Sequence, residues 1–230
     1  MFLLIDIGNT RTKAALYKNG ALSLITDIDK LEIDKTVLKG VIIASVGAED
    51  QIDSLKLQLN LPHVEWIRVK SQAQLFGVTN SYAIPEKLGV DRWLGLIAAK
   101  NRFANENLLI IDAGTAVTID WLTAEGCHKG GWILPGLQLQ QKAVLTNTAR
   151  VKPDNEYSAN LQPGINTAEG LQSGCLAAVV GAIQLAWQTH PGQKIILTGG
   201  DSVILSQFLQ LLPVVIEPLL IFHGLSYFCE

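Results

Sequence analysis

The sequence predicts an α/β fold made of two related halves with mixed sheets, and three observations lead to it. Apolar strand-like runs alternate with helical patterns along the whole chain. The segment LLIDIGNTRTKAALY, Leu3 to Tyr17, has a counterpart in LLIIDAGTAVTIDWLTAEG, Leu108 to Gly126. In each, an apolar strand ends on Asp-x-Gly followed by Asn or Thr, and a second alternating strand comes after it. Asp6 matches Asp112, Gly8 matches Gly114 and Asn9 matches Thr115, each pair 106 positions apart. Finally, 230 residues of which 48% are hydrophobic can fill a sizeable core.

Taken in order, Leu3 to Tyr17 reads as a β-hairpin whose turn admits two explanations. Asp, Gly and Asn are ordinary turn formers. The same Gly-Asn-Thr turn also offers backbone N–H groups, a hydroxyl and an amide with Lys13 close by, which is a donor set for phosphate. Recurrence of the turn at a domain-sized interval favours the phosphate explanation. Next come a strand at KGVIIASV, Lys39 to Val46, a helix from Asp50 to Leu59 and a strand at Val64 to Val69. A loop with Tyr82 and Pro85 follows, and then the helix GVDRWLGLIAAKNRF starts near Asp91. The halves divide near Asn101 to Glu106, as residues 1–104 and 105–230. Beyond the second hairpin lie GGWILPG, Gly130 to Gly136, a helix from Leu137 to Thr148 and a polar stretch from Val151. A long helix from Ala168 to Gln188 leads into a strand from Ile195 that ends in Thr198-Gly199-Gly200. The chain closes with a helix at SVILSQFLQLL, a strand at PVVIE and a short terminal helix.

Composition excludes several classes of function. A net charge of −3 and a pI near 5.8 supply no basic field for nucleic acid. The mean hydropathy of +0.26 raises the question of a membrane, but the strongest apolar run, PVVIEPLLIF, is short and carries Glu217 and two prolines. No basic leader with a cleavage site precedes the first strand, so the expected location is the cytosol. Cys127, Cys175 and Cys229 are odd in number and far apart, as suits reduced thiols. His63, His128, His190 and His223 are too scattered to suggest zinc.

The chemistry-bearing residues fall at strand ends and at one helix start. Asp6 and Asp112 would repel the phosphates of a nucleotide unless they act through a cation or ordered water, so magnesium is implied; the alternative is that each Asp caps its own turn. Thr198-Gly199-Gly200 would let a flat ring approach the backbone, or would be an ordinary strand-to-helix turn. Asp91 and Arg92 supply a carboxylate to accept a proton and a guanidinium to neutralise a moving phosphoryl group, or else a helix cap and a surface cation. Trp93 reads as core. The helix from Ala168 carries Gly170, Gly174 and Gly181 among alanines, a surface that another helix can approach closely.

Together, DIGNTRTK, Tyr82, GVDR, DAGTA, GGWILPG, INTAEGLQSG and TGG resemble, in order and spacing, the type III pantothenate kinases of the acetate kinase, sugar kinase, Hsp70 and actin superfamily. The resemblance covers nearly the entire chain. It implies duplicated ribonuclease H-like (actin-like ATPase) domains with a central nucleotide cleft, and ATP-dependent phosphorylation of pantothenate to 4′-phosphopantothenate, the first step of coenzyme A biosynthesis. It further implies a homodimer with a shared active site that needs potassium or ammonium besides magnesium. Carried onto this chain, Asp6, Ile7, Gly8, Asn9, Thr10, Arg11, Thr12 and Lys13 form the ATP phosphate loop, Thr115 adds an ATP contact and Asp112 ligates the monovalent cation. Tyr82, Gly89, Val90, Asp91 and Arg92 contact pantothenate, with Asp91 as proton acceptor, and Thr167 reaches pantothenate from the neighbouring subunit. One departure is the run SVGAED after Ser45, where the family often has a proline, and no function is assigned to it. A kinase of another small hydroxyl or carboxylate substrate, or a nucleotide-gated regulator on the same fold, would share the nucleotide turns and differ at the acceptor residues.

Overall fold

The computed structural model describes residues 1–8, 10–28, 35–46, 49–147 and 160–229. By internal contacts the chain divides into two units. The first is Met1–Ala104 with Glu125–His128 and Leu219–Glu230, and the second is Asn105–Ala124 with Lys129–Pro218. The first unit thus takes in two segments that a linear division at 104/105 assigns to the second half. The terminal segment joins it because its apolar helix helps to cover one face of that unit's sheet.

The first unit opens with β1 (Phe2–Ile7), β2 (Thr12–Lys18), β3 (Ala21–Ile25), β4 (Gly40–Ser45) and β5 (Glu65–Arg68). They form a mixed sheet of order β3-β2-β1-β4-β5, antiparallel at β1–β2 and β2–β3 and parallel at β1–β4 and β4–β5. Both faces of β1 are covered, which is why it reads as a nearly unbroken apolar run. Leu3, Ile5 and Ile7 point to one face, where helix α1 (Glu49–Leu59) supplies Ile52, Leu55 and Leu59. Leu4 points to the other, where helix α2 (Val90–Arg102) supplies Val90 and Leu94, and the C-terminal helix, residues 220–226, supplies Phe222 and Leu225. With a period of two, Asp6 falls on the same face as Leu4. The loop between β5 and α2 holds a small hairpin, β6 (Gln74–Leu75) with β7 (Val78–Thr79), that the sequence patterns do not announce.

In the second unit, β8 (Leu108–Ala113), β9 (Ala116–Leu122), β10 (His128–Pro135), β11 (Lys194–Thr198) and β12 (Val214–Ile216) repeat the same plan. The order is β10-β9-β8-β11-β12, with β8 antiparallel to β9 and parallel to β11. Counted within each unit, the strands run 3-2-1-4-5 both times. Helix α3 (Leu137–Asn147) follows β10, and α4 (Thr167–Thr189) packs Leu176, Val179, Ile183 and Ala186 against Leu109 and Ile111 of β8. By length and composition α4 would suit a membrane span, but that face is buried in this core. The predicted helix after Gly200 is shorter than expected. Helix α5 (Ser202–Ser206) gives way to i→i+3 turns, Phe208 N–H to Leu205 C=O and Leu209 N–H to Ser206 C=O, which bury Leu209 and leave Leu211 exposed. The C-terminal helix α6 (Leu220–Ser226) completes the element order.

Candidate active site

Each unit places an aspartate at the C-terminal end of its central strand, where open α/β sheets bind ligands. Asp6 stands opposite Lys13 of β2 and Ala44 of β4, in register. The hairpin closes with Gly8 N–H donating to Arg11 C=O at 3.1 Å. Ile7 is buried, Gly8 is half-buried, and Thr10, Arg11, Thr12 and Lys13 are exposed, so the polar side of the turn faces outward. Asn9 lies outside the described residues, as do positions 47 and 48 of the SVGAED run.

Asp112 occupies the matching place in the second unit, but with different neighbours: Thr118 of β9 and Thr198 of β11 stand beside it in register. Directly paired residues share a sheet face, so a cation flanks Asp6 whereas hydroxyl groups flank Asp112. Gly114 N–H donates to Ala116 C=O at 3.0 Å, and the C=O of the exposed Thr115 accepts from Gly136 N–H at 2.9 Å. Thus GGWILPG ends on the second turn and fixes it. The TGG turn packs on the same strand end. Gly199 has φ +92° and a Cβ there would lie 2.3 Å from Ala113 C=O, so only glycine fits. Gly200 beside it faces open space, and Asp201 N–H donates to Ala113 C=O at 3.0 Å. Burial pushes the Asp201 carboxyl above its ordinary range.

The acceptor residues come together in the first unit. Gly89 is the N-cap of α2, and a Cβ on it would lie 2.5 Å from Asp91 Oδ1, so the glycine leaves room for that carboxylate to fold back over the helix start. Asp91 Oδ1 accepts from Arg92 N–H at 2.7 Å. Asp91 is therefore not the cap, and Arg92 is not a surface cation: it is 7% exposed, donates from Nη1 to Tyr82 Oη at 2.9 Å, and its Cζ lies 5.7 Å from the Tyr82 ring centroid. Val90 and Trp93 are buried core.

Sequence patterns missed what holds this loop. Asn80 accepts Tyr82 N–H on Oδ1 at 3.0 Å and donates from Nδ2 to Pro85 C=O at 3.1 Å and Gln72 C=O at 3.2 Å. Ser71 Oγ donates to Leu88 C=O at 2.8 Å. Asn two residues before Tyr82 is an Asx-turn signal that would have found the first of these. Against Tyr82 also stands His128, 3% exposed, its ring 6.2 Å away centroid to centroid at an interplanar angle of 19°. Thr167 is the exposed first residue of α4. Asn166 caps that helix by accepting Glu169 N–H at 2.9 Å, and Glu169 Oε2 accepts Ile165 N–H at 3.0 Å, a local arrangement that sequence reasoning missed and that the spacing N-x-x-E could have signalled.

The chain is similar along its whole length to known proteins. The family model for type III pantothenate kinase matches residues 2–189. A type III pantothenate kinase of Pseudoalteromonas translucida is 37% identical over 232 residues, spanning 100% of this chain and 97% of that protein. Among solved structures, a protein of Campylobacter jejuni described as a candidate Baf family transcriptional activator superposes with a TM-score of 0.63 at 26% identity, over 98% of this chain and 96% of that one. A candidate 2-dehydro-3-deoxygalactonokinase of Sinorhizobium meliloti superposes with a TM-score of 0.60 at 12% identity, over 99% and 97%. The repeated 3-2-1-4-5 sheets are those of the duplicated ribonuclease H-like fold shared by sugar kinases and actin-like ATPases.

Proposed function

Because this chain belongs to the type III pantothenate kinase family, and so phosphorylates pantothenate with ATP in the first step of coenzyme A biosynthesis, we propose that the Asp6 turn holds the ATP phosphates, that Asp112 takes the monovalent cation while Thr115 adds an ATP contact, and that Tyr82 with Gly89–Arg92 holds the acceptor. The observation that carries the acceptor assignment is the buried Arg92 bonded to Tyr82 beside the Asp91 carboxylate. A guanidinium out of water suits a carboxylate-bearing substrate, because the pair strengthens where water is excluded. Lys13 and the exposed donors of the first turn suit the ATP phosphates.

In the transfer, the pantothenate hydroxyl oxygen bonds to the γ-phosphorus, the bond from that phosphorus to the bridging oxygen of ADP breaks, and the hydroxyl proton passes to Asp91. Positioning and charge neutralisation supply most of the acceleration for so loose a transition state. Magnesium arriving with ATP takes one or two carboxylates plus phosphate oxygens rather than a protein cage. The Asp6 carboxylate at its strand end fits that need, and among the described residues no cluster of three or more His, Cys, Asp or Glu makes a site alone. The hydroxyl residues around Asp112 suit potassium or ammonium, which would neutralise phosphate charge there.

The reading includes a homodimer in the cytosol. The outer face of α4 exposes Gly170, Gly174, Ala177 and Gly181, while Ile133 and Ile165 of the same unit are 63% and 93% exposed. Such an apolar, small-residue surface suits a two-fold partner, with Thr167 completing the neighbour's acceptor site. The test is an ATP and pantothenate assay with potassium and ammonium removed and then restored. Wild-type protein should regain activity on restoration, and Asp112→Ala should lose that response while its melting temperature barely moves. An Asp112→Ala protein that melts early yet keeps its potassium response would make the residue structural.

A further inference from the structure

We infer that His128 is a positioning residue of the acceptor site: it holds the Tyr82 ring, and through it the Arg92 guanidinium, in the pose that receives pantothenate. The inference rests on the acceptor assignment above. His128 lies 46 positions beyond Tyr82 and reaches it because Glu125–His128 docks on the first unit. Thr79 N–H donates to Gly126 C=O at 2.9 Å, and Thr79 and Cys127 form a parallel bridge. One residue further along, the imidazole is buried at 3% exposure, with Nδ1 3.1 Å from Ser81 Oγ and its ring plane 19° from that of Tyr82.

The Tyr82 backbone is already fixed by Asn80, but a side chain turns about its own bonds, and a half-buried phenol has several poses open to it. Two contacts narrow them: Arg92 takes the hydroxyl at one end, and the offset-stacked imidazole takes the ring face. Ser81 sets the imidazole in turn. Replacing His128 by a smaller side chain leaves a void behind Tyr82, frees the ring and loosens the partner of a buried guanidinium. The burden falls on pantothenate binding, since the Asp91 carboxylate is held at the helix start by Arg92 N–H.

Steady-state kinetics on the purified chain tests this with His128→Ala, His128→Phe, Ser81→Ala and Tyr82→Ala. One lost ring contact and one lost hydrogen bond correspond to about 5- to 150-fold in affinity. His128→Ala should raise the pantothenate KM by that factor with the ATP KM unchanged and kcat within about threefold of wild type. His128→Phe, which keeps a flat ring, should recover most of the loss, and Ser81→Ala should raise the pantothenate KM by about 2- to 5-fold. The inference is overturned if His128→Ala leaves the pantothenate KM unchanged, if it lowers kcat at constant KM, or if His128→Phe is no better than His128→Ala. Should the His128 variants fail to melt cooperatively, Ser81→Ala decides, and an unchanged pantothenate KM there sinks the inference. Tyr82→Ala separates the two levels: if it leaves the pantothenate KM at the wild-type value the acceptor assignment fails, whereas if it raises that KM and His128→Ala does not, only the role of His128 fails.

Discussion

Gly126→Ala should both destabilise the protein and weaken pantothenate binding, because this glycine lets residues 125–128 dock on the first unit. Its φ is +90°, and an added Cβ would lie 1.9 Å from Gly77 C=O and 3.1 Å from the Gly77 carbonyl carbon. Ordinary contact is over an ångström longer, so the segment must lift and strain the hydrogen bond from Thr79 N–H to Gly126 C=O. The left-handed backbone costs about 1–2 kcal/mol for a residue with a Cβ, and overpacking adds typically about 1–3 kcal/mol. The sum, about 2–5 kcal/mol, corresponds to a fall in Tm of roughly 5–15 °C for a chain of this length. Gly20→Ala is the control: its φ is +83° with nothing within 4 Å of the added Cβ, so it carries the backbone cost alone. Thermal unfolding of both variants isolates the steric part, and kinetics should show the pantothenate KM of Gly126→Ala rising with the ATP KM unchanged. If Gly126→Ala melts within about 2 °C of Gly20→Ala, the docking contact contributes no strain and the reasoning fails.

Asp91→Asn keeps shape but removes the proton acceptor, so kcat should fall, toward the low end of the ~10²–10⁴-fold typical of base catalysis, with ATP binding intact; near-normal turnover would take Asp91 out of the mechanism. When an inactive Asp91→Asn protein is co-refolded with an inactive Thr167→Val protein, half of the dimers should be mixed, each with one intact site, and about a quarter of wild-type activity should return; verified subunit exchange without recovery would confine Thr167 to its own subunit or to no role. Burial raises the Asp201 carboxyl above its ordinary 3.8, so its stabilising share is present at low pH and is lost as pH rises through the folded-state value. Asp201→Asn should therefore melt above wild type at pH 7 and level with it near pH 3; a difference that grows on acidification would contradict the burial effect.

Much of the site was legible because it is built from short-range signals. The Asp-x-Gly turns and the G-x-D-R helix start each act within a few residues, through turn geometry or a missing Cβ. The alternation of strands and helices follows from side-chain periodicity in the same way, and the repeat of one turn at a 106-residue interval was enough to indicate two related halves. The shared 3-2-1-4-5 strand order then agrees with that reading.

Other features depended on which distant segments meet. Period alone put Asp6 and Asp112 at strand ends, but Lys13 beside one and Thr118 and Thr198 beside the other follow from strand register. The sequence leaves Arg92 open between an acceptor-site guanidinium and a surface cation until Tyr82 folds over it, and His128 reads as one of four scattered histidines until residues 125–128 leave the second half and dock at Thr79. The terminal helix likewise joins the first unit through Phe222 and Leu225. Short stretches of sequence therefore set the local elements and the reactive residue types, each encoded by neighbours a few positions apart, and recurrence of one such stretch 106 positions on revealed the duplication. The tertiary structure decided the company those residues keep, since burying apolar surface from remote segments is a property of the whole chain rather than of any short stretch.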